Sequence, residues 1–147
     1  VCKVFISGGK MDVYIITSLD HFRRKSMLRR KKWDYGDNST YLITINTFKR
    51  RPHFGHLTAA GVMLSDIGII AEDRLMATHE IFPHVRLSEW VIMPDHIHVI
   101  VHFRKWGRES SVPGSFGPQK GTLGSVIRGF KAGVTSRAKE ICPQFKW

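Results

Sequence analysis

The sequence has 147 residues, one domain's worth of chain and enough to bury a core without disulfides or a structural metal. No apolar run approaches the roughly 20 residues that span a bilayer, and the short apolar patch Val13–Ile16 lacks the flanks of a secretion signal. Two cysteines, Cys2 and Cys142, are too few for a disulfide framework and imply a reducing, cytoplasmic setting, while a formal charge of +11 points to a polyanionic partner such as nucleic acid.

The charge is unevenly placed. Residues 1–33 carry +7 of it, chiefly Arg23, Arg24, Lys25, Arg29, Arg30, Lys31 and Lys32, and read as a basic, poorly ordered N-terminal arm. The first residue is Val, so the numbering starts inside a longer chain or reads through sequence upstream of a start such as Met11. Asp34–Ser39 is turn-rich, and the folded domain is expected after it, over residues 34–147. Tyr41–Thr47, rich in β-branched and aromatic residues, predicts a strand that Arg51–Gly55 breaks, with Val62–Leu64 a short second one. Ser65 or Asp66 caps a helix with Ile67, Ile70, Ala71 and Leu75 on one face, fading near Pro83. Arg86–Met93 and His96–Phe103 predict two strands, and the Pro94-Asp95 pair between them forces an antiparallel hairpin. Trp90 is expected in the core.

Arg104–Gly121 reads as a flexible loop in which Trp106 and Phe116 are placed to stack on bases. Thr122 then caps a last helix whose Leu123, Val126, Ile127, Phe130, Val134 and Ala138 recur at helical spacing. Gly124, Gly129 and Gly133 lower its propensity, so packing must hold it. This order of elements predicts an α+β fold, an antiparallel sheet with helices on one face. The other face is left for a site.

The informative segment is Met93–Val101, MPDHIHVIV. Strand side chains alternate, so His96, His98, Ile100 and His102 share one face, and Ile97, Val99, Val101 and Phe103 share the other. The second set is wholly apolar and must meet the core, so the histidines occupy the face that the core does not claim. Imidazoles at i and i+2 project in parallel and can both reach one divalent cation, with Mn²⁺ or Zn²⁺ suited better than Mg²⁺ unless an oxygen ligand joins them. The alternative is two surface histidines on a sheet. Asp95 is open as a ligand, as a residue that holds one in place, or as a turn residue, with the turn favoured.

Several stretches in order resemble the single-tyrosine HUH transposases, particularly the REP-associated tyrosine transposases. Tyr41–Gly55 (YLITINTFKRRPHFG) resembles that family's opening strand and basic, Phe-Gly-terminated turn. Asp66-Ile67-Gly68 opens the first helix in the family's manner, Val85–Val101 resembles the hairpin with the His-hydrophobic-His motif, and Leu123–Thr135 resembles the second helix. The resemblance covers roughly residues 34–147. It implies a ferredoxin-like fold, a divalent metal (Mg²⁺ or Mn²⁺) on His96 and His98, and single-stranded or hairpin DNA as partner. It also implies cleavage and rejoining of that DNA through a 5′-phosphotyrosine link. Some relatives work as dimers.

In the family, the nucleophilic tyrosine and a third metal ligand lie on a further helix, beyond the position of Gln144–Trp147, which resembles the start of the strand leading into it. Tyr14, Tyr35 and Tyr41 do not match that context, and Tyr41 reads as structural. As written, the chain is not expected to cleave DNA by this mechanism. Lys49, Arg50 and Arg51 after the first strand, and Arg128 and Lys131 on the last helix, fit a DNA track. Two alternatives stand beside the transposase: a non-catalytic hairpin-DNA binder derived from one, and an unrelated metal-dependent hydrolase built on His96 and His98.

Overall fold

The computed structural model describes residues 38–104 and 121–147, together with the backbone of 13–17. Its elements are β1 (Val13–Thr17), β2 (Ser39–Asn46), a 3-10 turn (Phe48–Arg50), β3 (Gly55–Thr58), β4 (Gly61–Leu64), α1 (Asp66–Met76), α2 (Thr78–Ile81), β5 (Val85–Met93), β6 (His96–Phe103) and α3 (Leu123–Ile141).

The main sheet runs β1-β2-β6-β5. β6 is antiparallel to both β2 and β5, so β2 and β5 point the same way with β6 between them. That is the split β-α-β arrangement of a ferredoxin-like plan, with α1 in the connection between β2 and β5. Beyond β2, β1 adds a strand in parallel. The backbone at Val13–Thr17 thus runs as a strand inside the span expected as an N-terminal arm; the rest of that span, and the loop with Trp106 and Phe116, lie outside the described residues.

One sheet face is dry. Tyr41, Ile43 and Ile45 of β2 and Ile97, Val99, Val101 and Phe103 of β6 are all buried, and they form one cluster with Ile67, Ile70, Ala71 and Leu75 of α1 and Leu123, Val126, Phe130, Val134 and Ala138 of α3. The alternation along β6 is strict, which is why the sequence pattern locates its two faces. Both long helices start where their caps predict. The Ser65 side chain accepts from Gly68 N and the Thr122 side chain from Ser125 N.

Two of the glycines of α3, Gly129 and Gly133, have a packing reason. A Cβ at Gly129 would sit 2.7 Å from the Phe82 ring, and one at Gly133 2.4 Å from the Arg74 guanidinium, so α3 gives up propensity to let both side chains lie on it. Tyr41 is fully buried, edge-on to Phe103 with ring centroids 5.8 Å apart, as a structural residue should be.

Three features differ from the sequence-based expectation. The short strand at 61–64 is one arm of a separate hairpin, paired with Gly55–Thr58. Trp90 is not core: it keeps 36% of its surface exposed, because β5 is the outermost strand and its pairing slips by one residue between Leu87 and Trp90. Gln144–Trp147 forms no strand. Phe145 is buried and Trp147 donates its indole N–H to Lys131 O and Thr135 Oγ1, anchoring the segment on α3.

Candidate metal and nucleic-acid site

The open face of the sheet is built from register. Thr40, Leu42, Thr44 and Asn46 of β2 stand directly opposite His102, Ile100, His98 and His96 of β6. On the other side, Val91 and Met93 of β5 face His98 and His96. A row of polar β2 side chains therefore lies against the histidine row. That pairing joins positions fifty or more residues apart in sequence, so local pattern alone does not reveal it.

His96 and His98 are together, with ring centroids 4.7 Å apart and planes at 87°. Each ring is held at Nδ1. His96 Nδ1 donates to Asp95 Oδ1 at 2.6 Å, and His98 Nδ1 lies 2.9 Å from Thr44 Oγ1. The Asp95 carboxylate can only accept, so the His96 proton sits on Nδ1 and its Nε2 lone pair is left for a ligand. The Thr44 hydroxyl can accept from His98 Nδ1, which leaves the same atom of that ring for a ligand in that tautomer. His102, further along the same face, is bound at both nitrogens, by Thr40 Oγ1 and Ser88 Oγ at 2.9 Å each, and is a structural partner of the sheet. Among the described residues, no group of three or more His, Cys, Asp or Glu is placed to hold a metal. The donors on hand are two imidazole nitrogens, which could bind a divalent transition metal only with further ligands from outside these residues.

Asp95 does more than turn the hairpin. Its backbone carbonyl accepts from Thr47 N at 3.0 Å and lies at the same distance from Thr47 Oγ1, while its carboxylate bridges His96 and the Arg50 guanidinium. The sequence pattern favours its turn role because turn residues are legible locally and side-chain partners are not.

Burial, and after it electrostatic interaction with the neighbouring His96 ring and the Arg50 guanidinium, holds the His98 pKa below its ordinary value, so the ring is neutral and competent as a ligand at neutral pH. Burial and then Arg51 lower His53, and burial lowers His84. A folded pKa below 6.5 means that the unfolded chain takes up the proton first on acidification. These three groups therefore support stability fully above about pH 6.5, and the support is lost as pH falls from there toward the folded values. The urea midpoint is expected to be lower at pH 5.5 than at pH 7.5; an identical midpoint would show that the three rings are not held neutral by the fold.

The expected DNA residues divide into two places. Lys49, Arg50 and Arg51 lie in the turn after β2, and that turn wraps the Pro94-Asp95 hairpin: Phe54 N donates to Pro94 O and Thr47 N to Asp95 O. Lys49, Arg50 and Arg51 are all exposed there. Lys146, which sequence reasoning did not single out, joins them through the Phe48 N–H bond to Lys146 O, its ammonium 6.0 Å from the Phe48 ring. Arg128 and Lys131 lie on α3, on the helix side of the sheet, where with Lys139, Thr135 and Ser136 they line a shallow groove of about 770 Å³. The histidine pair and the first basic group are thus adjacent, and the second group is on the other side of the domain.

No family model matches the chain. A curated protein of Haemophilus influenzae, itself uncharacterized, is 35% identical over 128 residues, covering 82% of this chain and 70% of the relative. The chain belongs to the family of this Haemophilus protein. A crystal structure of a candidate transposase from Deinococcus radiodurans matches with a TM-score of 0.46 and 14% identity, covering 80% of this chain and 70% of the other. Among the described residues, no helix of this family member is long and apolar enough to cross a membrane.

Proposed function

We propose that the chain is a transposase-like DNA-processing domain that binds single-stranded or hairpin DNA at a divalent metal centre held by His96 and His98. Cleavage and rejoining through a 5′-phosphotyrosine link is then the chemistry of this domain joined to the tyrosine helix that the sequence resemblance implies. One observation carries the reading: two neighbouring imidazoles on the open face, each fixed at Nδ1, with Nε2 left for a ligand. A bound Mg²⁺ or Mn²⁺ would polarise a phosphodiester oxygen and offset its growing charge. The chain's own residues supply the rest. Asp95 and Thr44 orient the rings, and Lys49, Arg51 and Lys146 offer cations to the phosphates of a strand approaching that edge. Arg128 and Lys131 give a second basic tract along α3.

The test is a double substitution, His96→Ala with His98→Ala. Mn²⁺ binding by calorimetry is expected to disappear, while affinity for a fluorescent hairpin oligonucleotide in EDTA changes by less than about twofold, since the basic tracts remain. A wild-type chain that binds the hairpin but no Mn²⁺ would replace this reading with a non-catalytic DNA binder. One that binds Mn²⁺ and ignores oligonucleotides would point to an unrelated metal-dependent hydrolase.

A further inference from the structure

The basic turn contains one cation that does not behave like its neighbours. The Arg50 guanidinium is engaged twice, through Nε with Asp95 Oδ2 at 2.7 Å and through a terminal nitrogen with Asn46 Oδ1 at 2.7 Å. The remaining Asp95 oxygen, Oδ1, accepts from His96 Nδ1 at 2.6 Å. Asn46 is the residue directly opposite His96 in the β2–β6 register, so the chain Asn46–Arg50–Asp95–His96 closes a loop around one imidazole.

We infer that Arg50 is a positioning residue for His96, acting through Asp95, and not a phosphate contact. The inference rests on the reading of His96 as a metal ligand. The carboxylate fixes the ring with its proton on Nδ1 and its lone pair on Nε2, and the guanidinium holds the other carboxylate oxygen so that it stays on the ring.

The backbone supports this independently. Lys49 and Arg50 both have positive φ, 54° and 55°, a left-handed conformation that two consecutive non-glycine residues adopt only where the surroundings enforce it. The enforcing contacts are on hand: Arg50 N donates to Thr47 O, and Thr47 Oγ1 is placed to donate to Arg51 O at 2.7 Å and to Asp95 O. The turn is thereby locked to the peptide that carries Asp95, and it holds the Arg50 side chain, itself partly exposed, with Nε against the Asp95 carboxylate and a terminal nitrogen on Asn46. Arginine suits the task because one planar fork reaches two acceptors at once; a lysine has a single charged centre.

Arg50→Gln and Arg50→Lys test the assignment, with side-chain ¹⁵N NMR of the histidine rings at pH 7.5 and Mn²⁺ titration as readouts. In the wild type, His96 is expected as the Nδ1–H tautomer. Both variants are expected to mix the two tautomers and to lower Mn²⁺ affinity about tenfold or more. Their affinity for a single-stranded oligonucleotide in EDTA should stay within about twofold, with the same salt dependence. A wild-type His96 protonated on Nε2 would overturn the inference. So would an Arg50→Gln protein with unchanged tautomer, weaker oligonucleotide binding and a shallower salt slope, the signature of a lost phosphate contact. If wild-type protein binds no Mn²⁺, the metal reading fails while the tautomer comparison still decides what Arg50 does.

Discussion

Phe145→Ala is expected to lower the unfolding free energy by about 3–5 kcal/mol, although the residue stands third from the end of the sequence. Its side chain is 1% exposed and lies among aromatic rings, with centroids 5.3 Å from His53, 6.3 Å from Phe54 and 5.3 Å from Trp147. Truncation removes the ring's burial and leaves a void that Phe54 and Trp147, each held by its own partners, cannot easily fill. Against a total stability of about 5–15 kcal/mol for a domain of this size, the loss is large. Urea denaturation followed by tryptophan fluorescence measures it, and Trp147 reports from within the affected cluster. A loss under about 1 kcal/mol, the scale of a surface change, would mean that residues 143–147 are not docked on the core.

Gly68→Ala should destabilise by about 2–3 kcal/mol, the range expected of overpacking. At an exposed helical position the same change stabilises by roughly 1 kcal/mol, so the prediction is one of sign. A Cβ at Gly68 would sit 2.1 Å from Phe54 O and 3.1 Å from the Leu64 side chain. Phe54 O is backbone and already accepts from Ser65 N at 2.9 Å, so it cannot move without pulling on the start of α1. Gly129→Ala provides the contrast: there the added carbon meets the outer edge of the Phe82 ring, which can rotate, and the cost should be smaller. Equal thermal midpoints for Gly68→Ala and wild type would contradict the close approach of α1 to the turn after β2.

What can be read from the sequence follows the range of the interactions involved. The two faces of β6, the apolar stripes of α1 and α3 and the caps Ser65 and Thr122 are set by neighbours within a turn or two, and each is legible as pattern. The histidine pair on the open face is legible for the same reason. Thr44 as the partner of His98 is not, because it depends on the register of two strands whose residues are 54 positions apart. Nor is the double role of Asp95, since its turn propensity is local and its grip on His96 and Arg50 is a matter of tertiary geometry. Of the β3–β4 hairpin only the second arm is legible, as the short strand Val62–Leu64; β3 escapes because three of its four residues are exposed, which leaves no in-out alternation to read. Phe145 and Trp147 escape because they lie outside any helix or strand, where an aromatic residue carries no periodic context.

The placement of the histidines on β6 also bears on the order in which the molecule takes shape. The β5–β6 hairpin closes across two residues, and it brings His96 beside Asp95 and Met93 early. Thr44, Asn46 and Arg50 arrive only when β2 docks, a long-range closure of the slow kind that governs folding rates. The isolated hairpin therefore holds both imidazoles but only one of their anchors. Ring resonances of His98 should move in step with the final cooperative transition, so the site serves as a clock for completion of the fold.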